Sequence, residues 1–171
     1  LCEMMIAGHK TTASLIGTAV KLLVENSHLW QSLHENPALI PAAVEEVLRY
    51  DTSAPTMVRV TTQEVTIAGV RIPKDSRVFI LFASANRDSE QYENSDSFDI
   101  ERFQHNPVNH LAFSHGKHHC AGYNLARRQV RIALEILSQR IPNLRITPNQ
   151  ELTHIPTLLD RGYASLNLEW D

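Results

Sequence analysis

The chain has 171 residues, 43% of them hydrophobic and 20% charged, enough to enclose a core and ordinary for a globular protein. Its net charge of −3 argues against a general nucleic-acid binder, and its two cysteines, Cys2 and Cys120, exclude a disulfide framework and a zinc site built mainly of cysteine. No apolar run reaches membrane-spanning length and no signal-peptide pattern is visible, so a cytoplasmic location is expected.

The chain opens on Leu1, and LCEMMIAGHKTTASLIGTAVKLLVEN reads as a helix already under way, with no Ser, Thr, Asp or Asn before it as a cap. The expectation is a larger protein lacking its N-terminal part. Residues 4–26 fit a long helix, with Ile6, Leu15, Ala19, Leu22 and Leu23 near helical spacing. SHLWQSLHEN predicts a short helix capped by Ser27 and stopped at Asn36-Pro37. PALIPAAVEEVLRYD predicts a third helix, with Pro41 tolerated in its first turn. The texture then changes to Val, Ile and Thr. Residues 56–86, with turns at Ala68-Gly69 and Pro73-Lys74-Asp75, predict a small antiparallel sheet. Residues 87–119 carry little periodicity and read as a long ordered loop, a feature that is usually functional. Residues 121–140 predict a helix with Leu125, Val130, Ala133, Leu134 and Leu137 as its buried stripe, ended by Pro142. GYASLNLEW reads as a final strand. The fold class expected is mainly α with a small antiparallel β-sheet (α+β).

The densest chemistry lies in HLAFSHGKHHCAGYNLARRQ, residues 110–129. Cys120 falls just before a predicted helix, where a thiolate gains from the helix dipole and from free backbone N–H groups. Gly116 and Gly122 bracket it, and glycine permits a tight turn or close approach to a flat ligand. On these residues alone three readings stand open: a thiolate presented to a metal, a buried inert cysteine, and zinc held by Cys120 with His115, His118 or His119.

FSHGKHHCAG resembles the haem-binding loop of the cytochrome P450 family, Phe-Gly/Ser-x-Gly-x-His/Arg-x-Cys-x-Gly, matched by Phe113, Ser114, Gly116, His118, Cys120 and Gly122. EEVLR is similar to the family's Glu-x-x-Arg motif, with Glu46 and Arg49, and FDIERF supplies Arg102 as the third member of that charge cluster. AGHKTT resembles the oxygen-binding segment, with Ala7, Gly8 and Thr11 over the distal face of the haem. ANRD and RGYASLNLEW are also similar to the family in its bacterial style. The resemblance implies that residues 1–171 are a single C-terminal, haem-binding portion of the fold, from the long distal helix to the C-terminus. It implies haem b with Cys120 as the axial iron ligand and Phe113 packed beneath the macrocycle. His118 and Arg59 would contact the propionates, and a guanidinium suits bidentate carboxylate recognition. Glu46, Arg49 and Arg102 would form a structural network anchoring the loop that leads to Cys120.

The activity implied is that of a haem-thiolate monooxygenase taking electrons from a ferredoxin or similar donor, activating O2 and oxidising a small organic substrate. DTSAPTMV would line part of the pocket. The alternative is a truncated, inactive remnant that binds haem weakly or not at all. Two positions depart from the pattern. Lys10 stands where the family has an acid beside the threonine, and Gln129 stands where glutamate is common. Lys117, Arg127, Arg128 and Arg131 are expected to form a basic patch for an acidic redox partner, or else a solvated helix face.

Overall fold

The computed structural model describes residues 2–105 and 109–171, with residues 2–4 and 105 described by their backbone alone. Residues 106–108, inside the predicted long loop, lie outside the described residues. Helix α1 runs Cys2–Glu25, α2 Ser27–Glu35 and α3 Ile40–Tyr50. Strands β1 (Thr56–Val60), β2 (Val65–Ile67), β3 (Val70–Ile72) and β4 (Arg77–Leu81) follow, then short helices α4 (Phe82–Ala85) and α5 (Arg102–His105). Helix α6 (Tyr123–Arg140) and strands β5 (Arg145–Ile146) and β6 (Leu168–Glu169) complete the order.

Helices α1, α2, α3 and α6 form the core. α1 packs on α2, α3 and α6, while α2 and α3 each also pack on α6. Leu15, Ala19 and Leu23 of α1 meet Trp30 and Leu33 of α2, Ala43, Val44, Val47 and Leu48 of α3, and Val130 and Leu134 of α6, all buried in one cluster. Spacings of three and four along each helix put these side chains on one face, and their burial is the main drive for helices this short. Trp30 joins the cluster without an orphaned donor, because Nε1–H donates to the Ile141 carbonyl at 3.1 Å.

Several boundaries differ from the sequence expectation. Asn26, not Ser27, occupies the cap position of α2, and its side chain donates back to the Leu22 carbonyl at 3.1 Å instead of capping. The hand-over from α2 to α3 is abrupt: the Asn36 side chain accepts the Ala38 N–H, opening a single 3-10 turn at Pro37–Leu39. The sheet predicted over residues 56–86 is two separate two-stranded antiparallel sheets, β1–β4 and β2–β3, and β5–β6 forms a third. Ala68 and Gly69 close the β2–β3 hairpin, both at positive φ (49° and 79°), which a two-residue hairpin turn demands. Of the predicted last strand only Leu168–Glu169 pairs as a strand, while Tyr163 makes an isolated bridge to His154.

On α6, Val130 and Leu134 are buried, but Leu125 is 58% exposed, contrary to its expected place in the stripe. It lies in the first turn of α6 and shares an uncovered face with Ile132 and Ile136, also exposed. No helix among the described residues is long and apolar enough to cross a membrane.

Candidate functional site

Glu46 and Arg49 stand three apart on α3, so they share a face, and both side chains are fully buried. Arg49 Nε and Nη2 donate to the two Glu46 oxygens at 2.7 Å each. Its other N–H groups go to the carbonyls of Asn86 (3.0 Å), Ser95 (2.7 Å) and Ser97 (2.9 Å), so all five guanidinium hydrogens are used. Glu46 also accepts the Asp99 N–H at 2.9 Å and faces Arg102 Nε at 3.3 Å. Arg102 in turn holds the carbonyls of Glu93, Asn94 and Ser97. The structure thus brings Glu46, Arg49 and Arg102 together, and the three clasp the irregular backbone of residues 86–99.

Asn86 carries this anchorage onward. It is fully buried, and its Oδ1 accepts the Leu111 N–H at 2.6 Å at the entrance to the cysteine loop. Its Nδ2 has no partner among the described residues. Within the loop, Ser114 N–H donates to the Leu111 carbonyl (2.9 Å), Cys120 N–H to the Phe113 carbonyl (2.9 Å) and His119 N–H to the Gly116 carbonyl (3.1 Å). These bonds bend residues 111–120 into a closed turn containing the 3-10 segment Gly116–His118. Ser114 and Gly116 both sit at positive φ, 62° and 75°. Glycine takes that conformation freely, whereas serine is held in it by the surrounding bonds. Gly122 caps α6, and a Cβ there would lie 3.9 Å from Cys120 Sγ, so any side chain at 122 would rest on the sulfur.

Behind the loop stands a second charged cluster that the sequence reading missed. Arg127 of α6 grips Glu45 of α3 through Nε and Nη2, both at 2.7 Å. The guanidinium also lies 4.6 Å from the Phe113 ring centroid. His110 Nδ1 accepts the Ala112 N–H at 3.2 Å, which leaves Nε2 to donate to Glu45 Oε2 at 3.2 Å. Burial pushes the Glu45 carboxyl up, but hydrogen bonds from His110 and Arg127 outweigh it and hold the group at about 2. Glu45, His110, Phe113, Tyr123 and Arg127 line a cavity of about 370 Å³. The adjacent acids of EEVLR point to different faces of α3, so one motif serves two clusters; the second acid was the available signal for Glu45.

This arrangement revises the expected basic patch. Arg127 turns inward to Glu45 and Arg131 lies 3.7 Å from the same carboxylate, whereas Lys117 and Arg128 are exposed with no ion pair among the described residues. His115 and His119 are both exposed, and His119 packs edge-to-face on Tyr123 with centroids 4.7 Å apart.

On α1, Ala7 and Gly8 are exposed and a Cβ on Gly8 would meet nothing within 4 Å. Thr11 Oγ1–H donates to the Ala7 carbonyl at 2.6 Å, a bond that competes with the helix ladder in that turn. Lys10 Nζ meets Asp160 Oδ2 at 2.8 Å. Among the described residues Arg59 on β1 donates only to the Val58 carbonyl, at 2.9 Å. No hydrogen bond or ion pair among the described residues joins the Ala7–Thr11 turn or Arg59 to the cysteine loop, and the His118 side chain, within that loop, makes none.

The donor set bears on what Cys120 could hold. Its thiol is free and exposed, and no group of three or more His, Cys, Asp or Glu is assembled for a metal ion among the described residues. A structural zinc site takes four protein ligands, so zinc has no donor set there. A haem brings its own equatorial nitrogens and takes one protein sulfur. Cys120 fits that demand, and neither Arg59 nor His118 is engaged with a carboxylate among the described residues.

Comparison with known proteins agrees with this chemistry. The Cytochrome P450 family profile matches residues 1–150. The chain is similar to the biotin biosynthesis cytochrome P450 of Bacillus subtilis, 42% identical over 143 residues, covering 84% of this chain and 35% of that protein. It is also similar to the erythromycin C-12 hydroxylase of Saccharopolyspora erythraea, 42% identical over 148 residues, covering 86% of this chain and 37% of that one. Its structure superposes on the crystal structure of the Acinetobacter radioresistens CYP116B5 heme domain with a TM-score of 0.93 and 39% identity, over 99% of this chain and 40% of that one. The chain therefore spans well under half the length of these relatives. With its motifs, its fold and its sequence similarity in agreement, the chain belongs to the cytochrome P450 family.

Proposed function

We propose that this chain carries the thiolate-donating part of a haem-thiolate monooxygenase. Holding haem b at Cys120, it would serve the activation of O2 and the oxidation of a small organic substrate with electrons from a ferredoxin-like donor. The observation that carries the reading is Cys120, a free exposed thiol at the head of α6 in a loop held by its own backbone hydrogen bonds. A thiolate-ligated haem supplies electron-rich iron, which favours O–O cleavage.

The chain's own residues would do the rest. Asn86, Glu45 and Arg127 fix the loop that presents the sulfur. Arg59 and His118 would hold the propionates, and Phe113 would pack against the ring. Ala7 and Gly8 leave room for O2, and Thr11 holds or passes a proton at Oγ1. Lys117 and Arg128 remain free to steer an acidic donor protein, an effect that salt would weaken. The relatives are named for oxidations of different molecules, which supports a reaction class and no single substrate.

Exposed apolar side chains favour a second reading, in which this chain by itself holds haem weakly or not at all. Ile6 is 73% exposed, as are Leu125, Ile132 and Ile136 of α6 and Phe79, Ile80 and Leu81 of β4 to smaller degrees. One experiment separates the two. The purified chain is titrated with haem, reduced and treated with CO. A strongly red-shifted Soret band that disappears in Cys120→Ala supports the first reading. A band that survives in Cys120→Ala refutes the ligand assignment, and no band in the parent chain establishes the second reading.

A further inference from the structure

The Lys10 ammonium is engaged by the far end of the chain. Nζ meets Asp160 Oδ2 at 2.8 Å, with the two side chains 45% and 27% exposed. The segment around Asp160 is a closed loop: Ile155 N–H donates to the Gly162 carbonyl at 2.9 Å, and the N–H groups of Leu159 and Asp160 donate to Thr157 Oγ1 at 3.2 and 3.0 Å. Its base is fixed twice more. A Cβ on Gly162 would come 2.7 Å from Ser14 Cβ, so the loop backbone lies directly against α1 one turn beyond Lys10. Arg161 N–H donates to the Ser53 carbonyl at 2.8 Å, and its guanidinium pairs with Asp51 at the end of α3. The tip has no such packing. Leu158 is 74% exposed and Leu159 50%. Among the described residues the only side-chain hydrogen bond or ion pair between tip and helix is Lys10–Asp160, at the residue next to Thr11.

We propose that Lys10 and Asp160 are a positioning pair that latches the tip of the 155–162 loop onto the α1 turn carrying Thr11. The latch does two things at once. It holds Leu158 and Leu159 beside that turn as an apolar wall. It also brings a carboxylate to the turn from the opposite end of the chain, so the positive charge at position 10 is neutralised there. Its consequence for oxidation chemistry rests on the function proposed above; the latch itself does not, because every contact in it is protein to protein. Being half-exposed, the pair is a modest and salt-sensitive tie, able to shift the opening of the tip by only a few-fold.

The test is amide hydrogen exchange of the 171-residue chain without haem, followed at Leu159 and Asp160, whose N–H groups are bonded to Thr157 Oγ1. Asp160→Asn and Lys10→Gln should each speed exchange at the tip by roughly 2–5-fold at low salt, and the difference should shrink toward zero in about 1 M NaCl. The reversed pair, Lys10→Glu with Asp160→Lys, should return the tip to parental exchange. Exchange at the buried α1 amides around Ala19 and Leu23 should stay unchanged throughout and so report intact folding. The proposal is overturned if either single variant leaves tip exchange unchanged at low salt. It is equally overturned if the reversed pair exchanges as fast as the single variants. Neither result depends on haem binding, so failure here is distinguishable from failure of the proposed function.

Discussion

Replacing Arg49 tests how the loop leading to Cys120 is held. Its side chain is fully buried, and all five of its N–H groups are bonded, two of them to Glu46. Arg49→Ala leaves the Glu46 carboxylate buried, with only the Asp99 N–H and the longer contact to Arg102. It also strips the carbonyls of Asn86 and Ser95 of this partner. Breaking one side of a buried ion pair costs about 3–5 kcal/mol, and each orphaned carbonyl adds about 1–3 kcal/mol where water cannot reach it. Taking 3–5 kcal/mol as the floor, the loss is a large share of the roughly 5–15 kcal/mol that holds a typical protein folded. At about 2–4 °C per kcal/mol for a chain of this size, the melting temperature should fall by roughly 6–20 °C. Arg49→Lys keeps the charge but lacks the planar fork, so it should still lose more than about 2 kcal/mol. Urea denaturation followed by circular dichroism, with proteolysis of the 86–99 segment as a local readout, measures both. An Arg49→Ala variant within about 1 kcal/mol of the parent would refute the reasoning, as would an Arg49→Lys variant that matches it.

Glu45 supplies a pH test. Its carboxyl is depressed on folding, from 4.5 to about 2, so its contribution is fully present above the unfolded value and is lost as pH falls through the window between the two. Glu45→Gln should therefore cost on the order of 2 kcal/mol at pH 7, after a discount for partial exposure, and almost nothing near pH 2. Denaturation curves showing the same deficit at both pH values would rule out the linkage. Gly162→Ala places a methyl 2.7 Å from Ser14 Cβ, against a helix that cannot give way, and should destabilise by about 1–3 kcal/mol. A thermal melt unchanged by that substitution would mean the loop does not lie on α1 as described.

Much of this protein was legible in its residues. The helices of the core follow from apolar spacing, because burial of one face decides them and that spacing is local. The change of texture at residue 56 marked the strands, and the turn at Ala68-Gly69 marked the hairpin, since backbone at positive φ is written in small residues. FSHGKHHCAG, Glu46-x-x-Arg49 and Arg102 pointed to the family that the comparisons show.

What the residues did not disclose lies in contacts between distant segments. Arg127 looked like surface charge because nothing local says that Glu45, on another helix, waits for it. Leu125 belonged to the apolar stripe by spacing alone, yet a stripe is buried only where a neighbour covers it, and the first turn of α6 has none among the described residues. The strands of residues 56–86 read as one sheet, but only three-dimensional pairing could divide them into two. Lys10 departs from the family pattern, and only the fold sets Asp160, 150 positions away, against it. The sequence by itself determined the core helices, the β2–β3 hairpin, the cysteine loop motif and the family, because those depend on neighbours in the chain. Tertiary structure alone decided which charges are paired, which apolar faces are covered and what holds the loop, because those energies depend on neighbours in space.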